Sequence, residues 1–126
     1  MLNRICVAGR MTRDPDLRYT KSGTPVASFT LAVDRDFSGE EKQTDFIDCV
    51  AWKNTAEFVT KYFAKGNMAI VAGRLQFREY TDRDGNKHNV AEVVADSVYF
   101  GESKKKEEPA PGQLVELDDE GQLPFD

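Results

Sequence analysis

Along the first hundred positions, apolar and polar residues alternate with a period of two, interrupted once. Residues 2–10 set Ile5 and Val7 on one side and Arg4, Cys6 and Ala8 on the other. Residues 26–36 put Ala27, Phe29, Leu31 and Val33 on one face, and residues 44–52 put Phe46, Asp48, Val50 and Trp52 on one parity. A period of two is the mark of a half-buried strand. The interruption follows, where Phe58, Val59, Tyr62 and Phe63 recur at helical spacing. Asn54 is placed as the N-cap with Glu57 three residues on, an Asn version of the capping box, and Gly66 stops the run. Strand alternation returns over residues 68–80 and 88–100, joined by a turn at Asp84-Gly85, with Val90, Glu92 and Val94 opposing Ala91, Val93 and Ala95. Asp14-Pro15, Lys21-Ser22-Gly23-Thr24-Pro25 and Ser38-Gly39-Glu40-Glu41-Lys42 supply the remaining turns and loops.

Five short strands with the helix between the third and the fourth predict an all-β chain in the order of the OB-fold, a five-stranded, partly open Greek-key barrel that binds oligonucleotides or oligosaccharides. Val7-Ala8-Gly9-Arg10 is echoed by Val71-Ala72-Gly73-Arg74. Four residues leave duplication and coincidence equally open, but each glycine falls inside a strand, where a barrel needs a bend or bulge.

Charge divides the chain. Residues 1–106 hold all 17 bases against 15 acids, a balance of +2, whereas the last 20 residues hold seven acids and no base. That segment also contains Pro109, Pro111, Gly112, Gly121 and Pro124, and its few apolar residues do not offset the entropy of ordering it. The expected organisation is one domain over residues 1–101, a flexible linker over 102–117 and an acidic protein-interaction tip over 118–126. No apolar run reaches the ~18 residues of a membrane span, and the first residues lack a signal-peptide apolar core, so a cytoplasmic location and no membrane partner are expected.

Enzymatic chemistry finds little support. Cys6 and Cys49 are 43 residues apart without a CxxC pair, and both are expected to be small buried residues with no disulfide or metal role. His88 is the one histidine and follows a turn. Asp82-Arg83-Asp84-Gly85-Asn86 resembles a calcium loop, but the glycine comes two positions early and position twelve is Val93, which points to a hairpin turn instead. Neither a nucleophile with its base nor a phosphate loop nor zinc spacing occurs, so neither an enzyme nor a cofactor or metal site is expected.

The aromatics point elsewhere. Phe46 and Trp52 share a strand face and Lys53 follows directly; Arg74, Gln76, Arg78 and Tyr80 share another. A face of Arg, Gln, Arg and Tyr is not a core face. It has the composition of a platform for a single nucleic-acid strand, with guanidinium groups for phosphates and a ring for a base. Phe37, beside the polar loop after Arg35, has no packing role that the pattern reveals. The structural alternatives are half-buried packing for Phe46 and Trp52, an edge ring for Tyr80 and a solvated strand face for Arg74 and Arg78.

These residues carry a resemblance. Met1-Leu2-Asn3-Arg4, Gly9-Arg10, Asp14-Pro15-Asp16-Leu17-Arg18-Tyr19, Phe29-Thr30-Leu31-Ala32-Val33, Asp45-Phe46-Ile47-Asp48-Cys49-Val50-Ala51-Trp52 and Gly73-Arg74-Leu75 together resemble the DNA-binding domain of the bacterial single-stranded DNA-binding proteins, in particular those of Gram-positive bacteria and their phages. The resemblance implies an OB-fold that assembles as a homotetramer and holds single-stranded DNA without sequence preference during replication, recombination and repair. It implies stacking at Phe37, Phe46, Trp52 and Tyr80, where members of the family often carry more tryptophan. Lys21, Arg35, Lys53, Arg74 and Arg78 are expected to meet phosphates, followed by Arg4, Arg10, Lys61, Arg83 and Lys87, since helix and turn cations are more often simply solvated.

The tail is similar to the family's ending, an acidic run closed by an apolar residue, proline and phenylalanine. Asp118, Asp119, Glu120, Leu123, Pro124, Phe125 and Asp126 are the expected contacts to replication, recombination and repair proteins, the acids steering and the Leu-Pro-Phe wedge anchoring. Gly121-Gln122 interrupts the acids and Asp126 follows the phenylalanine, both departures from the family pattern. A solubilising end is the plain alternative for the tail. For the whole chain the alternative is an OB-fold adaptor for protein assembly with weak or no DNA binding.

Overall fold

The computed structural model describes residues 1–36 and 40–102. Phe37 and the tail residues singled out above lie outside the described residues. Seven elements follow in order: β1 (Ile5–Met11), β2 (Asp16–Tyr19), β3 (Pro25–Asp34), β4 (Thr44–Trp52), α1 (Lys53–Tyr62), β5 (Met68–Thr81) and β6 (Lys87–Phe100). All six strands join one sheet in the order β1-β5-β6-β4-β3-β2, and β1 closes it by also pairing with β3 through Arg10↔Ala32 and Met11↔Leu31. β4 and β6 run parallel; the other neighbours are antiparallel. With β2 set aside, this is the five-stranded Greek-key barrel of the OB-fold, its helix between the third and fourth barrel strands.

The period of two fills the barrel. Ala27, Phe29 and Leu31 of β3, Cys49 and Ala51 of β4, Val71 of β5 and Val93 of β6 are almost fully buried. Ala56 and Val59 of α1 join the same core, where the helix packs against β2, β3, β4 and β6. Among the described residues Phe29 is the largest side chain fully enclosed; truncating such a ring to alanine costs about 3–5 kcal/mol, because the lost transfer energy is compounded by the cavity.

Both glycines of the echoed tetrapeptide stand where strands approach closely. In β5 the register with β6 shifts at Gly73, so that Ala72 pairs with Ser97 but Gly73 with Ala95, and a Cβ on Gly73 would fall onto the Val94 carbonyl. Gly9 sits just before β1 turns from β5 to β3, where a Cβ would lie 2.5 Å from the Ala32 oxygen.

Four expectations need correction. A sixth strand, β2, follows the Asp14-Pro15 turn; it is four residues long and pairs with β3 from Asp16↔Ser28 to Tyr19↔Pro25. Asn54 is not the N-cap. Trp52 still pairs with Val26 as the last rung of β4, and the chain swings into α1 in a single residue, Lys53, at φ 56°, so Asn54 is already inside the helix and no side chain caps it. The helix also ends at Tyr62, well before Gly66; Phe63 is extended and buried, donating its N–H to the Val59 carbonyl at 3.0 Å. Cys6 is exposed, because the β1 alternation that turns Val7 inward turns Cys6 out; only Cys49 is buried.

The β5–β6 ladder outruns the barrel. Its last rungs run from Phe77↔Ala91 to Thr81↔Lys87, in a two-stranded arm whose side chains are mostly exposed. The arm is closed by residues 82–86, where Asp82 N–H donates to the Asn86 carbonyl at 2.9 Å and Asp82 Oδ1 accepts from the N–H groups of Asp84 and Asn86, each at 2.9 Å.

Candidate nucleic-acid interface

Two strand faces that are distant in sequence become one surface because β6 lies between β4 and β5. Outward on β4 stand Phe46, Asp48, Val50 and Trp52; outward on β5 stand Arg74, Gln76, Arg78 and Tyr80. The ladder sets Arg74, Gln76 and Arg78 opposite Val94, Glu92 and Val90 of β6, and Val94 in turn is beside Val50 of β4. A groove of about 480 Å³ runs across this surface, lined among others by Trp52, Ser28, Arg13, Arg78, Gln76 and Glu92. Trp52, 44% exposed, lines this groove, and two further rings on the same strand faces are left open by packing outside its lining, Phe46 at 67% and Tyr80 at 45%. Tyr80 is out on the arm, stacked on His88.

The cations differ in how far they are committed. Arg35 forks onto Asp45, Nη2 to Oδ1 at 2.8 Å and Nε to Oδ2 at 3.1 Å, and its Nη1 donates to Gln43 Oε1 at 2.8 Å. That hydrogen-bonded pairing raises the Arg35 pKa and holds the Asp45 carboxyl below its usual range. Arg78 Nε meets Glu92 Oε1 at 3.1 Å, and Arg74 Nη1 donates to Gln76 Oε1 at 2.8 Å. Lys21, in the turn before β3, and Lys53, next to Trp52, are exposed and form no ion pair among the described residues.

The second group of cations is dispersed. Arg4 is paired with Asp96 at 2.7 Å; Arg10 is held by Glu102 at 3.1 Å and by the Gly66 carbonyl at 2.9 Å. Neither lines the groove. Lys61 lies over the Tyr62 ring on α1, 5.3 Å from its centroid. Arg83 and Lys87 are exposed at the tip of the arm.

Sequence reasoning passed over three features of this surface. Arg13 lines the groove from the β1–β2 connection, fixed between the Thr12 N–H, which donates to the Thr30 carbonyl at 3.0 Å, and Asp14, whose Oδ1 accepts from Lys65 N–H at 2.9 Å. Nothing periodic marks a loop residue of this kind. Phe77 is 66% exposed because it continues the core parity of β5 onto the arm, where no core exists. Most consequential are the acids: Glu92 lines the groove beside Asp48, whose Oδ1 accepts from Thr30 Oγ1 at 3.0 Å. Both carboxylates, after burial itself, help push the Cys49 thiol up to about 12. Among the described residues no set of His, Cys, Asp and Glu is grouped to hold a metal ion, and no helix is long and apolar enough to cross a membrane.

Residues 2–101 match the single-strand binding protein family. The chain belongs to that family. Among its relatives, single-stranded DNA-binding protein 2 of Listeria monocytogenes is 53% identical over 106 residues, 82% of this chain and 66% of the relative. The single-stranded DNA-binding protein of Halalkalibacterium halodurans is 51% identical over 106 residues, 82% of this chain and 63% of the relative. Single-stranded DNA-binding protein 1 of Staphylococcus aureus is 51% identical over 110 residues, 86% of this chain and 70% of the relative. Of the first two of these relatives the chain spans just under two thirds of the length. The resemblance read from the sequence, including its leaning toward Gram-positive members, thus agrees with these family relatives.

Proposed function

We propose that this chain binds single-stranded DNA without sequence preference, by stacking bases on exposed rings and pairing phosphates with the cations around them. The observation that carries this is the groove in which Trp52 of β4 and Arg78 of β5 are brought together, with Lys53 next in the chain after Trp52. Every base has a π-face, so a ring holds a strand without reading it, at roughly 1–3 kcal/mol per base. Cations then follow the backbone, each phosphate contact adding about −0.7 to the slope of log K against log salt. Phe46, Trp52 and Tyr80, with Phe37, are the proposed stacking rings; Lys53, Arg74, Arg78, Lys21 and Arg35 are the proposed phosphate contacts, joined by Arg13.

The wider role belongs to the same reading. Four copies would assemble around the strand and protect it during replication, recombination and repair, and the acidic tip at 118–126 would recruit partner proteins beyond a linker at 102–117. Family membership and the composition of the tail support this.

Trp52 is the only tryptophan of the chain, so its fluorescence reports on the proposed site alone. Titration with oligo-dT at two salt concentrations should quench it, and the binding should weaken at the higher salt. Absence of both quenching and a mobility shift at low salt would overturn the proposal in favour of a protein-assembly adaptor.

A further inference from the structure

The groove proposed to receive a nucleic-acid strand already contains an anion. Glu92, with only 11% of its side chain exposed, reaches Arg78 Nε at 3.1 Å, and Asp48 stands in the same groove. Such an arrangement runs against what a phosphate-binding surface needs, since an arginine paired with a carboxylate offers no net charge. A phosphate that takes the Arg78 guanidinium must either displace Glu92 or sit beside it. Sitting beside it brings the phosphate against two carboxylates in one partly enclosed groove, where like charges are poorly screened.

Resting on the single-strand reading, we propose that Glu92 is an affinity-limiting residue: it occupies Arg78 in the free protein and is exchanged for a phosphate when DNA binds. The exchange has a thermodynamic signature. A phosphate that binds a bare guanidinium releases its condensed counterion, with a contribution of about −0.7 to the salt slope. When the guanidinium is first freed from Glu92, the abandoned carboxylate takes up a cation from solution, which offsets that release. Arg78 therefore contributes little to the salt dependence of the native protein, although it contacts the strand. The ladder supports this placement: Gln76 pairs with Glu92 and Arg78 with Val90, so Glu92 lies diagonally from Arg78, within reach along the same face of the arm's base. Glu92 thereby keeps the grip reversible, which suits a protein that must later yield the strand.

The test uses the full chain and a fluorescently labelled oligo-dT, with anisotropy followed over a series of salt concentrations. Glu92→Gln keeps the volume and still accepts a hydrogen bond from Arg78, and thermal melting checks that the fold is retained. It should bind about fivefold more tightly at low salt, and its salt slope should steepen by about 0.7. Arg78→Gln should bind more weakly than the native chain, and adding Glu92→Gln to it should leave the salt slope unsteepened, because no guanidinium is then freed for a phosphate. Equal or weaker binding by Glu92→Gln, with the native chain binding normally, would overturn this inference alone and make Glu92 a residue that orients Arg78. Failure of the native chain to bind oligo-dT at low salt would remove the single-strand reading itself.

Discussion

The Tyr80 and His88 rings stack across one rung of the β5–β6 arm, 5.0 Å apart with their planes 21° from parallel, and His88 Nε2 is fastened to Asp82 Oδ2 at 2.8 Å. The tip of the arm thus holds a proposed base-stacking ring against an imidazole whose position is set by a carboxylate. Asp82 is held below its usual range, first by the His88 bond and then by the N–H groups of Asn86 and Asp84. A carboxyl depressed in the folded state contributes stability that is present above its unfolded value, about 3.9, and lost as pH falls through the folded value. Hydrogen-exchange protection of the Asp84 and Asn86 amides should therefore be present at pH 5 to 6 and fall away below about pH 4. The acid step should vanish in Asp82→Asn; equal protection at pH 6 and pH 3 in the native chain would contradict it.

Trp52 and Phe46 are exposed enough that their loss should separate binding from folding. Trp52→Ala and Phe46→Ala should each weaken oligo-dT binding by about 1–3 kcal/mol, the value of one stacked base. Their thermal stability should move little, since neither ring belongs to the buried core. Because Trp52 is the intrinsic probe, the comparison needs a labelled oligonucleotide. Unchanged affinity in both variants would remove these rings from the site.

Much of this architecture was legible because barrel strands are half buried and so write their inward face into the sequence. Ala27, Phe29 and Leu31 announced β3, and the order of strands around one helical stretch announced the barrel. β2 stayed hidden because four residues with one inward apolar side chain, Leu17, form no period. The helix start was misplaced because Asn54 and Glu57 satisfy a local capping rule, whereas the ladder that keeps Trp52 opposite Val26 is a long-range constraint that propensity does not contain. At the proposed site, parity grouped Phe46 with Trp52 and Arg74 with Arg78, but nothing in the chain says that β6 will be inserted between them. The β4 face of Asp48 and Trp52 met the Arg78–Glu92 pair by that route, whereas the pair itself is set by the register of the β5–β6 hairpin.

Gly73 and Gly9 should be far less replaceable than the glycine of the hairpin turn. A Cβ on Gly73 would collide with the Val94 backbone at the bulge, and one on Gly9 would press on the Ala32 carbonyl, and backbone cannot step aside as a flexible side chain does. Gly73→Ala and Gly9→Ala should each cost about 2–3 kcal/mol in thermal or urea unfolding. At Gly85 nothing lies within 4 Å of the added carbon, and only the positive φ of 87° opposes it. Gly85→Ala should thus cost about 1 kcal/mol. Equal losses at Gly73 and Gly85 would mean that the barrel relaxes around its bulge.

The two cysteines should differ sharply in reactivity. Cys49 is inside the barrel, and burial, followed by the charges of Asp48 and Glu92, pushes its thiol up to about 12. The thiolate is the nucleophile, so at pH 8 only about one Cys49 in ten thousand is competent even before access is considered. Cys6, on the outer face of β1, is exposed. Alkylation of the native chain at pH 8, mapped by peptide mass, should leave Cys49 unmodified, and both thiols should react in denaturant. The rate at Cys49 should follow global unfolding, so that Gly73→Ala, which loosens the barrel, accelerates it while the exposed Trp52→Ala does not. Rapid modification of Cys49 in a chain that remains folded would show that the β4–β6 seam, where Cys49 pairs with Val93, opens locally.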